Sequence, residues 1–319
     1  MFMILLVSST MISVSASSWL IAWLGLEINL LSFIPLMKNM NKFNSESMIK
    51  YFIIQAMASM LLMMSIILTS SKMSNPSLLY PSMMVSSPLL MKMGAAPFHF
   101  WFPEVMSGLE WMTALLLATW QKIAPSILLS FTSPKMSFIT IIVLMSITVG
   151  SIQSMNQQCL RKLIAYSSIN NIGWMLPAVM MNMNIWLLYF TIYTIINTGI
   201  IMTWKNTKIF FLSQLNKLFH SNKTLKITSS LALLSLGGLP PFLGFLPKWA
   251  IIQTMSTNMM FTIITAMVII TLIMLFVYTR MMMSMLSMSS SESMKMNKNN
   301  MSILNLLSIY GLAMCFLMF

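Results

Sequence analysis

Apolar runs of membrane-crossing length, set between short polar breaks, dominate this sequence from one end to the other. They lie near residues 3–20, 22–37, 50–70, 80–101, 111–132, 136–153, 163–181, 185–203, 227–255, 259–279 and 301–318. A helix needs ~20 apolar residues to cross the hydrocarbon layer, and a helix satisfies its own backbone hydrogen bonds where no water can. Charged residues are only 7% of the chain, against roughly a quarter in a soluble domain, so a water-facing surface cannot be built from it. The expected fold is an all-α polytopic membrane protein of about eleven transmembrane helices. Disorder, a disulfide-rich secreted scaffold and a soluble enzyme with a separate core are excluded.

The same residues limit the chemistry. Cys159 and Cys315 are the two cysteines, with no CxxC and no histidine at ligand spacing. An iron–sulfur cluster needs about four thiolates, so this chain alone holds none. No GxGxxG or GxxxxGKS/T loop supports a nucleotide or a flavin. Any redox chemistry therefore belongs to a partner. The opening MFMILLV carries no Arg-rich presequence and no cleavage site. Forty methionines exceed what packing asks for, which suggests an organellar gene with a codon table enlarged for Met.

Charge placement orients the runs. Eighteen basic residues face five acidic ones, for a net charge of +13. They do not interleave with aromatics on a polar segment, so nucleic acid is not the expected partner. With the N-terminus inside, the inner connections hold Lys38, Lys42, Lys50, Arg161, Lys162, Lys205, Lys208, Lys217, Lys223, Lys226, Arg280, Lys295 and Lys298. The outer ones hold Lys72 and Lys135. This asymmetry follows the positive-inside rule and sets the C-terminus outside.

Three lysines remain within the runs, Lys92, Lys122 and Lys248, together with Glu27 as the one acid. A charge near the bilayer centre costs at least ~2.5–3.5 kcal/mol, so such residues imply a polar interior. Snorkelling to the interface is the alternative for Glu27, read as near a run's end, and for Lys248. It suits Lys92 and Lys122 poorly, since both fall near mid-run.

Two of the runs are also broken. The fourth reads PLLMKMGAAPFHFW, with Gly94 and Pro97 after Lys92; the ninth reads SLGGLPPFLGFLPKW, with Gly237, Gly238, Pro240 and Pro241 before Lys248. Gly and Pro interrupt the helical ladder, which membranes tolerate only beside a cavity or within protein. The breaks are five runs apart, an odd offset that reverses orientation. This predicts one transmembrane domain over 1–319 made of two inverted five-helix repeats, 1–132 and 136–280, each with one discontinuous helix, plus a terminal helix at 301–319. Common Pro and Gly usage in membrane helices is the plainer alternative.

The stretches LLMKMGAAPFHFWFPEVMSGL, TWQKIAP, LRKLIAYSSINNIGWM and GGLPPFLGFLPKW resemble the antiporter-like chain 2 family of mitochondrial NADH–ubiquinone oxidoreductase, in its insect and other animal forms. The likeness runs in order from Glu27 to Lys248, and length and run count agree to both ends. The sister families 4 and 5 are longer and lack the APFHFW and GFLPKW wording. The resemblance implies a membrane-arm subunit of respiratory complex I in the inner mitochondrial membrane, N-terminus toward the matrix and C-terminus toward the intermembrane space. Its implied partners are the other complex I subunits, especially neighbouring antiporter-like and small membrane chains, and lipid. It implies no cofactor in this chain, with NADH, FMN, iron–sulfur clusters and ubiquinone held by partners. The family's proton channel rests on a glutamate, a lysine on the broken helix, a bridging lysine and a distal lysine. Residue by residue these fall on Glu27, Lys92, Lys122 and Lys248, the four that the charge audit leaves inside the membrane.

His99, two residues past Pro97, is a further candidate to feed the relay; a polar residue at the mouth of the run is the equal alternative. The eighth run, IWLLYFTIYTIINTGI, offers Tyr189, Tyr193, Thr194, Asn197 and Thr198 but no lysine or histidine, so a relay there must use hydroxyls and water. Glu104 and Glu110 read as solvated loop carboxylates, and the pair Asn170 and Asn171 as a bond to a neighbouring helix. Two rival functions stay open. A stand-alone cation/proton antiporter shares the repeat logic but asks for more acids, and a non-pumping scaffold would leave the lysines as relics.

Overall fold

The computed structural model describes residues 1–38, 42–70, 81–218 and 223–286. The expected run at 301–318, Cys315, Lys72, Lys295 and Lys298 lie outside the described residues, as do the side chains of Lys42, Lys217, Lys223 and Lys226. The elements, in order, are α1 (Phe2–Val14), α2 (Trp19–Met37), α3 (Lys42–Ser70), α4 (Pro81–Met93), α5 (Trp101–Gly108), α6 (Trp111–Ala118), a 3-10 turn (Trp120–Lys122), α7 (Ile123–Thr132), α8 (Met136–Ser154), α9 (Leu160–Met181), α10 (Met183–Thr207), α11 (Leu212–Leu218), α12 (Lys223–Gly237), α13 (Phe245–Thr257) and α14 (Phe261–Leu286). Among the described residues six stretches are long and apolar enough to cross a membrane: Trp19–Met37, Phe43–Thr69, Trp111–Thr132, Met136–Ser154, Met183–Thr207 and Phe261–Met285.

The other described runs differ from a plain span for reasons visible in their residues. α1 stops at Val14 because the serines from Ser15 onward offer the backbone local partners: Ser15 ends α1 and Ser18 Oγ accepts from Ile21 N to open α2. The fourth and ninth runs are each two helices around a break. α9 is long enough but carries Ser167, Ser168, Asn170 and Asn171 along its middle.

Hydroxyls inside the apolar helices are satisfied by their own helix. Ser13 Oγ donates to Thr10 O at 2.8 Å, Ser146 to Val143 O at 2.8 Å and Ser168 to Ala165 O at 2.7 Å. This back-bonding lets Ser and Thr live at membrane depth without an orphan donor. The surface is inverted relative to a soluble protein: Leu31, Met60, Ile141 and Ile269 are exposed while Asn29, Gln55, Asn170 and Asn197 are buried. Lipid is the solvent that such a surface requires.

The chain forms two compact units, Met1–Ser146 and Ile147–Phe319, and α8 passes from one into the other. In the first unit α3 packs on α2, α4 and α5, while α7 packs on α1 and α4. Small residues set the closest approaches: a Cβ on Gly25 would meet Ser13 N at 2.8 Å, and one on Gly108 would meet Phe43 O at 2.5 Å. In the second unit α10 packs on α9, α12 and α13, and α14 covers α12 and α13. Here Gly150 of α8 lies against the backbone of Asn170.

Candidate functional site

Each interior lysine sits at an interruption of a helix. α4 ends on Gly94, whose φ of +77° suits a residue without Cβ. Gly94 N donates to Met91 O and Ala95 N to Leu90 O, the paired bonds of a Schellman ending. Lys92 is in that last turn, where the negative end of the helix dipole favours a cation. Side chains also donate to carbonyls of this last turn. Trp101 Nε1 donates to Met91 O at 3.2 Å and Gln55 Nε2 to Lys92 O at 3.4 Å.

The second break repeats this logic. α12 ends on Gly238, with φ +81° and a bond from its N–H to Ser235 O. Lys248, fourth residue of α13, reaches back and donates from Nζ to Gly237 O at 2.8 Å. The amine thus caps the C-terminus of the preceding half-helix, and it lies 5.7 Å from the centre of the Trp174 ring. A Cβ on Gly238 would lie 2.8 Å from Lys248 Cδ and 2.9 Å from Nζ.

Lys122 marks a third interruption. Pro125 has no N–H for the carbonyl of Gln121 four residues earlier, and its ring crowds that carbonyl. The helix tightens accordingly into the turn Trp120–Lys122, closed by Lys122 N donating to Thr119 O. Lys122 Nζ lies 5.3 Å from the centre of the Phe102 ring. Lys92, Lys122 and Lys248 are 6%, 2% and 8% exposed. Snorkelling is therefore not how Lys248 is accommodated.

In the first unit Lys92 and Lys122 line one cavity of about 20 Å³ together with Asn29, Tyr51, Gln55 and Gln121. That is room for about one water molecule among polar partners. Glu27 is the ninth of nineteen residues in α2, so it is at mid-helix rather than near an end as the run boundaries suggested. It is close enough to Lys92 to act on its charge. Its Oε1 is enclosed without a hydrogen-bond partner among the described residues. His99 is 3% exposed, with Nδ1 3.3 Å from Pro97 O and its ring 4.3 Å from that of Phe100. It is thus inside the break, not at an open mouth.

In the second unit Lys248 shares a smaller cavity, about 10 Å³, with Asn171, Tyr189, Tyr193 and Ser235. Tyr189 Oη donates to Asn171 Oδ1 at 2.8 Å, and Asn171 Nδ2 donates to Ser167 O at 2.9 Å. Tyr278 of α14 is buried against the second break, where a Cβ on Gly237 would lie 3.3 Å from its ring. Thr194 and Thr198 spend their hydroxyls on Thr191 O and Ile195 O of their own helix.

Several residues differ from their reading in the sequence. Glu104 is not in a loop but in the first turn of α5, paired with Lys50 of α3 at 2.6 Å. Glu110 keeps its reading as a solvated loop carboxylate, exposed between α5 and α6 at the N-cap position of α6. Asn29, Gln55, Gln121, Trp174 and Tyr278 were not singled out. A census of carboxamides in the runs, or the four-residue step from Gln121 to Pro125, was the available signal.

Comparisons with known proteins bear on the family and the fold. Residues 16–274 match the family described as NADH:quinone oxidoreductase/Mrp antiporter, transmembrane. NADH-ubiquinone oxidoreductase chain 2 of Anopheles gambiae is 48% identical over 286 residues, covering 88% of this chain and 83% of that one. The Locusta migratoria chain 2 is 44% identical over 285 residues, again 88% and 83%. Among solved structures, a chain of respiratory complex I from Thermus thermophilus with bound aureothin shares the fold at a TM-score of 0.87 and 21% identity, covering 99% of this chain and 78% of that chain. The chain belongs to the NADH-ubiquinone oxidoreductase chain 2 family, within the transmembrane NADH:quinone oxidoreductase/Mrp antiporter family.

Proposed function

We propose that the chain is an antiporter-like, proton-translocating subunit in the membrane arm of respiratory NADH:ubiquinone oxidoreductase. On this reading it is a translocase component driven by redox chemistry in partner subunits, which hold the NADH, FMN, iron–sulfur clusters and ubiquinone. Glu27, Lys92, Lys122 and Lys248 form the relay, with His99 feeding it. The observation that carries the reading is the shared cavity of Lys92 and Lys122, with each lysine at a broken helix end. Broken ends concentrate backbone carbonyls and dipole charge where an ammonium can be held and released.

The physical cycle follows from two opposed effects. Burial favours a neutral amine, whereas a carboxylate close by favours the ammonium. With Glu27 charged, the proton rests on Lys92. Neutralising or withdrawing Glu27 releases it toward Lys122 through the water-sized cavity. Lys248 is the store in the second unit, and the Tyr189 and Tyr193 hydroxyls are its polar surroundings. The finer architecture belongs to the same proposal: eleven helices, two inverted five-helix repeats over 1–132 and 136–280, and a terminal helix. So does the placement in the inner mitochondrial membrane with the N-terminus toward the matrix, supported by the thirteen basic residues assigned to that side. Neighbouring antiporter-like and small membrane subunits, with lipid, are the partners.

Lys92→Met in the intact complex tests the relay. The expected result is fewer protons translocated per NADH oxidised, with the complex still assembled. An unchanged ratio would remove Lys92 from the relay.

A further inference from the structure

The Lys122 turn is held from outside its own helix. Asn29 Nδ2 donates to Gln121 Oε1 at 3.0 Å and Gln121 Nε2 donates back to Asn29 Oδ1 at 3.2 Å. A reciprocal amide pair of this kind satisfies both carboxamides across one gap, and both side chains line the cavity shared by Lys92 and Lys122. We infer that the Asn29–Gln121 pair is a positioning device: it locks the turn bearing Lys122 to α2, the helix bearing Glu27.

Three observations converge on that role. The turn is where the ladder is weakest, because Pro125 withdraws the N–H that Gln121 O would receive. Thr119 N holds Leu115 O and Ser126 Oγ holds Lys122 O at 2.7 Å, but these bonds run along the same chain and set no lateral position. The lateral tether from α2 is the amide pair. Second, Asn29 and Glu27 belong to one rigid helix, so a shift of α2 that changes the Glu27–Lys92 distance also pulls on Gln121. Third, carboxamides are polar at every pH and never ionise. They can line the route without competing for the proton. Gln55, bonded to Lys92 O, repeats the device at the other lysine.

This inference rests on the relay reading, so the test carries its own control. The variants are made in the intact complex and proton translocation is measured per assembled complex. The main variant is the double Asn29→Leu/Gln121→Met, which keeps shape and leaves no orphaned amide, so assembly is retained. The exchange Asn29→Gln/Gln121→Asn keeps a pair across the gap, and Lys122→Met reports on the relay itself. The expected result is a loss of at least about threefold for the Leu/Met double, matching Lys122→Met, with most of the rate restored by the exchange. Such a loss also answers a merely structural role, because the amount of assembled complex stays constant. A Leu/Met double that translocates at the native rate while Lys122→Met does not would overturn the inference and leave the relay standing. Native rates in both would overturn the relay. Should the double fail to assemble, Gln121→Met alone is compared with the exchange, and equal rates in the two would overturn the inference.

Discussion

Gly238→Ala isolates what the second helix break does for its lysine. Gly238 has φ +81°, and an L side chain in that region costs about 1–2 kcal/mol. The new Cβ would stand 2.9 Å from Lys248 Nζ and 3.1 Å from Cε. A lysine tip can move, so the steric conflict resolves by displacing the amine and giving up its 2.8 Å bond to Gly237 O. A hydrogen bond to a charged group is worth about 1.5–3 kcal/mol. The two contributions together come to about 3–5 kcal/mol, and they separate in a double-mutant cycle. With Lys248 present, Gly238→Ala should hasten thermal inactivation of the purified complex and depress proton translocation by more than tenfold. In a Lys248→Ala background the same glycine change should cost only the backbone strain. Equal penalties in the two backgrounds would refute the reasoning, because the glycine would then matter for its backbone alone.

Two further changes test other parts of the site. Tyr189→Phe removes the donor to Asn171 Oδ1 in a buried position; an orphaned amide oxygen costs about 1–3 kcal/mol, so inactivation should occur at lower temperature, as a thermal ramp of the complex would record. Pro125→Ala returns an N–H to the ladder and should straighten Trp111–Thr132 through the Lys122 turn; translocation should fall while assembly is kept, and a native rate would show that the interruption is not required.

Charges were the most legible part of the site. A lysine inside an apolar run stands out against its neighbours, and Lys92, Lys122 and Lys248 were found from that contrast alone. The breaks at Gly94 and Gly238 were also readable, because Gly and Pro act on the backbone locally. Asn29, Gln55 and Gln121 escaped notice because a neutral amide barely changes the hydropathy of a run, and its partner lies on another helix. The interruption before Lys122 has a local cause in Pro125, yet a single proline is compatible with a continuous membrane helix and did not stand out. The end of α1 at Val14 was hidden by serines whose back-bonding makes them nearly as acceptable within a helix as outside one. Lys50 and Glu104 are 54 residues apart in sequence, and only packing of α3 on α5 brings them together.

The size of the first-unit cavity has a consequence for selectivity. A space of about 20 Å³ admits one water at a time, which is enough for a proton to hop from donor to acceptor. An alkali cation would have to leave nearly all of its hydration shell behind and then face two lysines with no carboxylate among the lining residues. On the proposed relay, a space of this size would favour what can be handed on through a single hydrogen-bonded molecule over what must travel as a body. A sodium-carrying relative would need a wider, more acidic chamber at this point, and the width between Lys92 and Lys122 is the dimension in which the two kinds of protein should differ.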